Sequence, residues 1–158
     1  MGRSARFEGR VAFVSGGGTG IGFACARALV ADGARVLLAG RREEVLARAA
    51  ATLGPRAAHA RCDVTDDASV EAAVAAATAL GPLRLAVNAA GTGNIGSVLN
   101  GPVAEFQALI DTNLSGVYRC LRAEARAMRA AGGGAIVNVS SIAGVLTHRW
   151  MSAYCASK

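Results

Sequence analysis

Lysine is almost missing from this chain. Of its 17 Lys and Arg residues, Lys158 alone is lysine and the rest are arginine. Aromatic residues are also scarce, at 4%, so any core must be built from aliphatic side chains and alanine. The four cysteines, Cys25, Cys62, Cys120 and Cys155, form no Cys-x-x-Cys pair and no metal-ligand spacing. That excludes a zinc-finger or disulfide framework and fits small buried thiols in a reducing cytoplasm. Long hydrophobic runs are absent as well. The uncharged stretches Val11 to Ala26 and Leu85 to Ala104 are interrupted by Gly, Asn, Ser or Pro, so no membrane span is expected. The opening MGRSARFEGR lacks the apolar segment of a secretory signal, and Arg6 stands where a myristoylation pattern needs Ser or Thr.

What is present describes one globular domain. The 158 residues are 53% hydrophobic and 18% charged, enough for a real core. The net charge of +6 suggests anionic partners such as a phosphorylated cofactor. Arg119, Arg122, Arg126 and Arg129 recur at helical spacing. A solvated helix face or a subunit contact accounts for such a stripe. Nucleic acid is not expected, because no aromatic platform or recognition motif accompanies it.

Apolar runs alternate with helical patterns along the chain. Strands are expected at 11–14, 35–39, 57–62, 83–88 and 135–139. Helices are expected at 20–31, with Ile21, Ala24, Ala28 and Leu29 on one face, at 43–53, from a Thr65 or Asp66 cap to about Leu80, and as one long helix over 103–131. Strands without polar alternation are buried on both faces, and their alternation with helices gives βαβ units in a parallel sheet. Right-handed crossovers then yield an α/β fold, a doubly wound Rossmann-like parallel sheet ordered 3-2-1-4-5.

Between the first strand and first helix lies VSGGGTGIG, from Val14 to Gly22. Glycines let the backbone turn tightly and approach a phosphate, and the helix behind them offers free N–H groups and a positive dipole end. The loop lacks the Gly-Lys-Ser/Thr of a P-loop, and its Gly16, Gly20 and Gly22 are spaced G-x-x-x-G-x-G rather than G-x-G-x-x-G. At the other end, Tyr154 and Lys158 are four apart, on one helix face. An ammonium beside a phenol favours the phenolate, so the pair can give or take a proton near neutrality. Arginine would not serve in that role, which suits the single lysine standing there.

The glycine spacing resembles that of the short-chain dehydrogenase/reductase family, whose signature is T-G-x-x-x-G-x-G; Ser15 here replaces the threonine and keeps its hydroxyl. Further motifs follow in the family's order. Asp63 follows the third strand, and NAAG at Asn88, Ala89, Ala90 and Gly91 resembles N-N-A-G with Ala89 for the second Asn. Asn113 lies in the long helix, NVSS spans Asn138 to Ser141, and Tyr154 with Lys158 forms Y-x-x-x-K. The resemblance runs from about Arg6 to the last residue. It implies cofactor binding by Ser15, Gly16, Thr19, Gly20, Ile21, Gly22, Arg41, Arg42, Asp63, Val64, Asn88, Ala89, Ala90, Gly91, Tyr154 and Lys158, with Asp63 at the adenine. It implies a catalytic set of Asn113, Ser141, Tyr154 and Lys158. Ser141 would hold the substrate oxygen, Tyr154 would exchange its proton, and Asn113 would support a water chain to Lys158, while Ser140 supports the strand end. No metal is implied, and the full-length form is expected to be a homo-oligomer.

At the end of the second strand, where dinucleotide folds usually carry an acid for the ribose 2′-OH, the sequence reads Gly40-Arg41-Arg42. Two guanidiniums suit a 2′-phosphate, so NADP is expected in preference to NAD. The expected activity is hydride transfer between NADP(H) and a small-molecule carbonyl or alcohol. A 3-oxoacyl thioester, a small ketone, a sugar and a steroid all fit, with 92–103 and 145–153 lining the substrate side. His148 is a candidate for the substrate loop, and Cys155 lacks the partners of a nucleophile. The family's Y-x-x-x-K normally begins a long helix followed by more sheet. Residues 1–158 therefore read as a dinucleotide-binding domain truncated at its C-terminus. A five-residue terminal helix is not stable alone, so Tyr154 and Lys158 are expected to be poorly held and the fifth strand to form an exposed edge. The alternative reading is an impaired NADP-binding module, or a non-catalytic partner of an intact relative.

Overall fold

The computed structural model describes residues 5–158; residues 1–4, on which the reading of the N-terminus partly rests, lie outside them. Five parallel strands form one sheet in the order β3-β2-β1-β4-β5, as expected. They are β1 (Val11–Ser15), β2 (Arg35–Gly40), β3 (Ala57–Arg61), β4 (Leu83–Asn88) and β5 (Ala135–Asn138). The helices between them are α1 (Gly20–Ala31), α2 (Glu43–Leu53) and α3 (Asp67–Ala79), then α4 (Val103–Ile110) and α5 (Gly116–Ala130), with a short α6 at Ser152–Ser157. Asp66, rather than Thr65, caps α3, its side chain accepting from the Ala68 N–H at 2.9 Å.

The central strands explain why their sequences do not alternate. All five residues of β1 are buried, but successive side chains enter different layers. Val11 and Phe13 join Leu37 and Ala39 beneath α3 and α5. Ala12 and Val14 join Val36 and Leu38 on the side of α1 and α2. Apolar residues are thus needed at every position of a strand that has helices on both faces. β5, at the edge, is largely exposed, and its Val137 is 58% accessible.

The packing face of α1 differs from the one the sequence suggests. Gly22 and Ala26 are its buried residues, whereas Ile21 is 61% exposed and Ala24 and Ala28 face solvent. Helix periodicity located the apolar residues but not the closeness of the approach. A Cβ added to Gly22 would stand 2.3 Å from the Gly16 carbonyl oxygen, so α1 rests on its smallest residues and turns Ile21 toward the cleft.

The long helix expected over 103–131 is also modified. A π-helical turn at Asp111–Ser115 separates α4 from α5, widening the helix by one residue where Asn113 turns inward. Three arginines of the α5 stripe face acids of α3 and of the π-helical turn. Arg122 lies 3.1 Å from Asp67, Arg126 lies 3.2 Å from Glu71, and Arg119 lies 2.8 Å from Asp111. These are surface pairs of small individual worth, and they place the stripe on the solvated side of a helix–helix contact.

On its other face α5 buries Cys120, Ala123, Met128 and one charged residue, Glu124, which is fully inaccessible. Burial raises the Glu124 carboxyl to about 7 from its ordinary 4.5, opposed by a hydrogen bond from Asn88. Below about pH 4.5 the group is protonated in folded and unfolded chains alike and costs nothing. Between that pH and about 7 the unfolded chain ionises first, so stability falls as pH rises, by about 3 kcal/mol for a shift of this size. Glu124→Gln is expected to remove this slope. The difference in Tm between variant and parent should grow in the variant's favour from about pH 5 to about pH 8; a constant difference would contradict the raised value.

Candidate functional site

The sheet reverses its winding between β1 and β4, and a crevice opens there at the carboxyl ends of the strands. It is a cleft of about 340 Å³ walled by the glycine loop and the start of α1, by Gly40, Arg41 and Arg42 after β2, by Asp63 and Val64 after β3, and by Ala89, Ala90 and Gly91 after β4. Four loops that are distant in sequence therefore meet because each follows a parallel strand.

The loop geometry depends on glycine at two points. Gly16 has φ +66°, and a Cβ there would lie 2.8 Å from the Ala89 carbonyl and the Ala90 nitrogen, so two walls of the cleft touch backbone to backbone. Gly20 begins α1 with φ +55° and open space around it. Thr19, the residue before α1, makes no side-chain cap, which leaves the first-turn N–H groups facing the cleft. Asp63 is braced by Thr65, whose backbone N–H and hydroxyl donate to Oδ1 at 3.0 and 2.8 Å. These bonds, from the backbone first and the hydroxyl second, hold its carboxyl below the ordinary range, with help from nearby Arg41.

Four of the expected cofactor residues are not in the lining; Tyr154 and Lys158 lie beyond Gly91, and the other two lie behind the wall. Ser15 and Asn88 are each 1% exposed and sit behind its wall. The Ser15 hydroxyl donates to Asn88 Oδ1 at 3.3 Å and accepts from the Ala90 N–H at 3.3 Å. Asn88 Nδ2 donates to Asn138 Oδ1 and to Glu124 Oε2, both at 3.0 Å. They shape the wall rather than touch what it holds. Sequence reading missed Glu124 in this network, because a glutamate on a charged helix looks like a surface residue until burial is known. It also missed Gly18, Val45, Leu46, Cys62 and Thr112 in the lining. Burial pushes the Cys62 thiol up to about 11, which suits packing rather than reactivity.

Beyond Gly91 the cleft leads to Tyr154 and Lys158. A Cβ on Gly91 would lie 3.5 Å from Lys158 Nζ, and one on Gly93 would lie 3.5 Å from the Tyr154 ring, so the loop after β4 passes closely under both. Lys158 Nζ donates to the Val139 carbonyl at 3.2 Å and stands 5.9 Å from the centre of the Tyr154 ring. Ser141 precedes a short 3-10 turn, Ile142–Gly144, and its hydroxyl accepts from the Ala143 N–H at 3.1 Å. Ser140 donates to the Lys158 carbonyl at 3.3 Å, tying the end of β5 to α6.

The expectation that Tyr154 and Lys158 are poorly held is corrected here. α6 is short, but Asn113 anchors it. The Asn113 amide donates to Ser157 Oγ and to the Thr92 carbonyl, both at 2.8 Å, and its Oδ1 accepts from the Thr92 N–H at 2.8 Å. Ser157 in turn donates to the Tyr154 carbonyl at 2.8 Å and is 2% exposed. Local propensity could not show this, because the anchor lies 44 residues away in sequence. A second cavity of about 360 Å³ lies between Ser97, Val98 and Phe106 on one side and Ser152, Ala153 and Ala156 of α6 on the other. It adjoins the segments expected to face substrate; His148 is exposed nearby in sequence, its carbonyl accepting from Met151.

Solved relatives share this fold. The short chain dehydrogenase family profile matches residues 10–158. A 3-alpha-(or 20-beta)-hydroxysteroid dehydrogenase of Mycobacterium tuberculosis is 41% identical over 156 residues, covering 98% of this chain and 60% of that protein. A galactitol 2-dehydrogenase (L-tagatose-forming) of Cereibacter sphaeroides is 40% identical, covering 97% of this chain and 61% of the relative. Among solved structures, a short-chain type dehydrogenase/reductase from Mycobacterium ulcerans superposes with a TM-score of 0.92 at 36% identity, over 96% of this chain and 58% of that one. The chain belongs to the short-chain dehydrogenase/reductase family, a family of oxidoreductases that use nicotinamide dinucleotides. It spans about 60% of the length of the curated relatives it matches.

The cleft fits such a cofactor on its own chemistry. First-turn N–H groups and glycines that admit close approach suit a pyrophosphate, and Asp63 beside Val64 offers an acceptor for an adenine amine. Replacing Ser157 by Ala is expected to cost about 1–2 kcal/mol by leaving the buried Asn113 amide short of an acceptor. Hydrogen exchange should quicken at the amides of α6 while the sheet stays protected; unchanged protection there would show that α6 is held by other contacts.

Proposed function

We propose that residues 1–158 form the dinucleotide-binding domain of an NADP-dependent reductase or dehydrogenase acting on a ketone or secondary alcohol. The observation that carries this reading is the continuity of the site. The loop Ala89–Gly91 that walls the cleft passes directly beside Lys158, and Gly93 passes beside Tyr154. The relatives named above act on a hydroxysteroid and a polyol, and a D-threitol dehydrogenase is 39% identical. All three substrates carry secondary hydroxyls, which supports that substrate class here; a 3-oxoacyl-type ketone falls within it.

Gly16, Thr19, Gly20, Ile21 and Gly22 would hold the pyrophosphate, Asp63 and Val64 the adenine, and Ala89, Ala90 and Gly91 the nicotinamide side, with Ser15 and Asn88 supporting the wall. Arg41 and Arg42 border the cleft with no carboxylate at the end of β2, which supports NADP over NAD. When bound, the nicotinamide supplies or accepts the hydride. Tyr154 holds the substrate oxygen and gives it a proton in reduction, or takes one in oxidation. Ser141 donates a second hydrogen bond to that oxygen as charge develops. The Lys158 ammonium, held on the Val139 carbonyl, stands 5.9 Å from the centre of the Tyr154 ring and fixes the charge beside it. Asn113 keeps α6 in place through Ser157, so it sets the position of both residues and borders any water path to Lys158. Exposed Val103, Phe106, Leu114 and Tyr118 along α4, the π-helical turn and α5 support a homo-oligomer, and four free cysteines support a reducing, cytoplasmic setting.

The decisive experiment compares NADPH fluorescence on binding with NADPH consumption across a panel of cyclic ketones, ketoses and 3-oxoacyl thioesters. Consumption of any ketone supports the reductase. Binding without consumption marks a nucleotide-binding module instead. Tyr154→Phe is expected to lower kcat by two to four orders of magnitude, roughly the range for a lost general acid, with cofactor Kd little changed. Near-normal turnover would remove Tyr154 from the chemistry. Arg41→Asp is expected to weaken NADPH about tenfold or more while sparing NADH, through loss of one charge-assisted contact and gain of a repulsive charge. An unchanged ratio of the two affinities would remove Arg41 from cofactor choice.

A further inference from the structure

Glu124 is a fully buried carboxyl with no ion pair among the described residues. One of its oxygens, Oε1, has no hydrogen-bond partner among the described residues, and the other accepts from Asn88 Nδ2 at 3.0 Å. Such a group is costly to retain. Its position shows what it controls. Asn88 is the last residue of β4, and the next three residues are the cleft wall.

We propose that Glu124 is a positioning residue for the cofactor-facing loop Ala89–Gly91, acting through Asn88, and that its ionised form holds this loop most firmly. The proposal rests on the cofactor reading given above. Its basis is the direction of a hydrogen-bond chain. An ionised carboxylate can only accept, so it fixes the Asn88 amide with Nδ2 toward α5 and Oδ1 toward β1. Oδ1 then accepts a hydrogen bond from the Ser15 hydroxyl at 3.3 Å, and the oriented Ser15 Oγ accepts from the Ala90 N–H at 3.3 Å. The second Asn88 N–H reaches Asn138 Oδ1 at 3.0 Å and ties in β5. Reversing the Asn88 amide would set Oδ1 against the carboxylate and take away the acceptor that now orients the Ser15 hydroxyl beneath the Ala90 N–H. A protonated Glu124 can donate as well as accept, so it no longer enforces that direction, and its bond to Asn88 loses the assistance of charge.

The titratable groups around Glu124 are the Cys120 thiol, one turn earlier on α5, and the Cys62 thiol after β3. Burial raises both well above neutrality, so both stay uncharged while Glu124 titrates near 7. On α3, Asp67 and Glu71 face the arginines of α5 rather than Glu124. On β4, Arg84 donates to the Ala131 carbonyl at the far end of α5.

The test is cofactor affinity against pH for the full chain, measured with NADPH and with NADH, in the parent and in Glu124→Gln. Kd for the parent should weaken about fivefold from about pH 8 to about pH 6, the difference between a charge-assisted and a neutral bond. Glu124→Gln should bind with the weaker, low-pH affinity throughout and lose the slope. A slope that persists in the variant, or a parent Kd that is flat or tightens at low pH, overturns the proposal. A parent that binds neither nucleotide at any pH overturns the cofactor reading instead. Carboxyl NMR of the 13C-glutamate-labelled parent needs no variant. The other glutamates are exposed, so one signal titrating near neutrality reports Glu124, and its absence overturns the ionisation step.

Discussion

Everything at this site depends on how β1 and β4 are joined where their connections diverge. Their carboxyl ends are neighbours in the sheet, yet one strand leads into α1 on one face and the other leads on to α5 on the opposite face. The crevice between them would be floored by unpaired backbone if nothing closed it. Ser15, Asn88 and the Ala90 N–H close it with side-chain bonds, and Gly16 lets the two turns touch. The cleft is therefore a consequence of parallel winding, and its shape is set by polar groups buried beneath it.

A second constraint is transmitted through Asn113. The helix carrying it must serve two masters: its outer turns pack α5 onto the sheet, and its middle must present a carboxamide to α6. The π-helical turn reconciles them. Because Asn113 satisfies both the N–H and the carbonyl of Thr92 as well as Ser157, the loop after β4 and the Tyr154 helix are fixed to one side chain. The loop after β4 and the Tyr154–Lys158 pair are thus positioned relative to each other through one side chain.

The sheet order and most element boundaries could be read in the sequence, since apolar runs and glycine or proline stops are local signals; β4 and α2 fall where the pattern places them. Most cleft residues that follow strand ends could be read as well, whereas Val45, Leu46 and Thr112, which lie on helical segments, could not. What could not be read is what depends on distance in three dimensions. The buried face of α1 follows from how closely Gly22 approaches Gly16, which no periodicity reports. Glu124 carries the composition of a surface helix and the environment of a core. Ser157 is an ordinary residue inside Y-x-x-x-K until Asn113 reaches it. Ser15 and Asn88 end β1 and β4, and only their burial shows that they stand behind the wall.

The π-helical turn also bears on how this segment can change over time. One extra residue in a helix advances everything beyond it by about 100° around the axis. Deleting a single residue from Asp111–Ser115 would restore a regular helix and keep nearly every side chain, yet it would rotate α4 against α5 and carry Asn113 away from Ser157. Substitutions on the outer face leave that phase untouched. In this stretch, then, the count of residues is the constrained quantity, and a frame-preserving loss of one codon would do more harm than several exchanges of side chain.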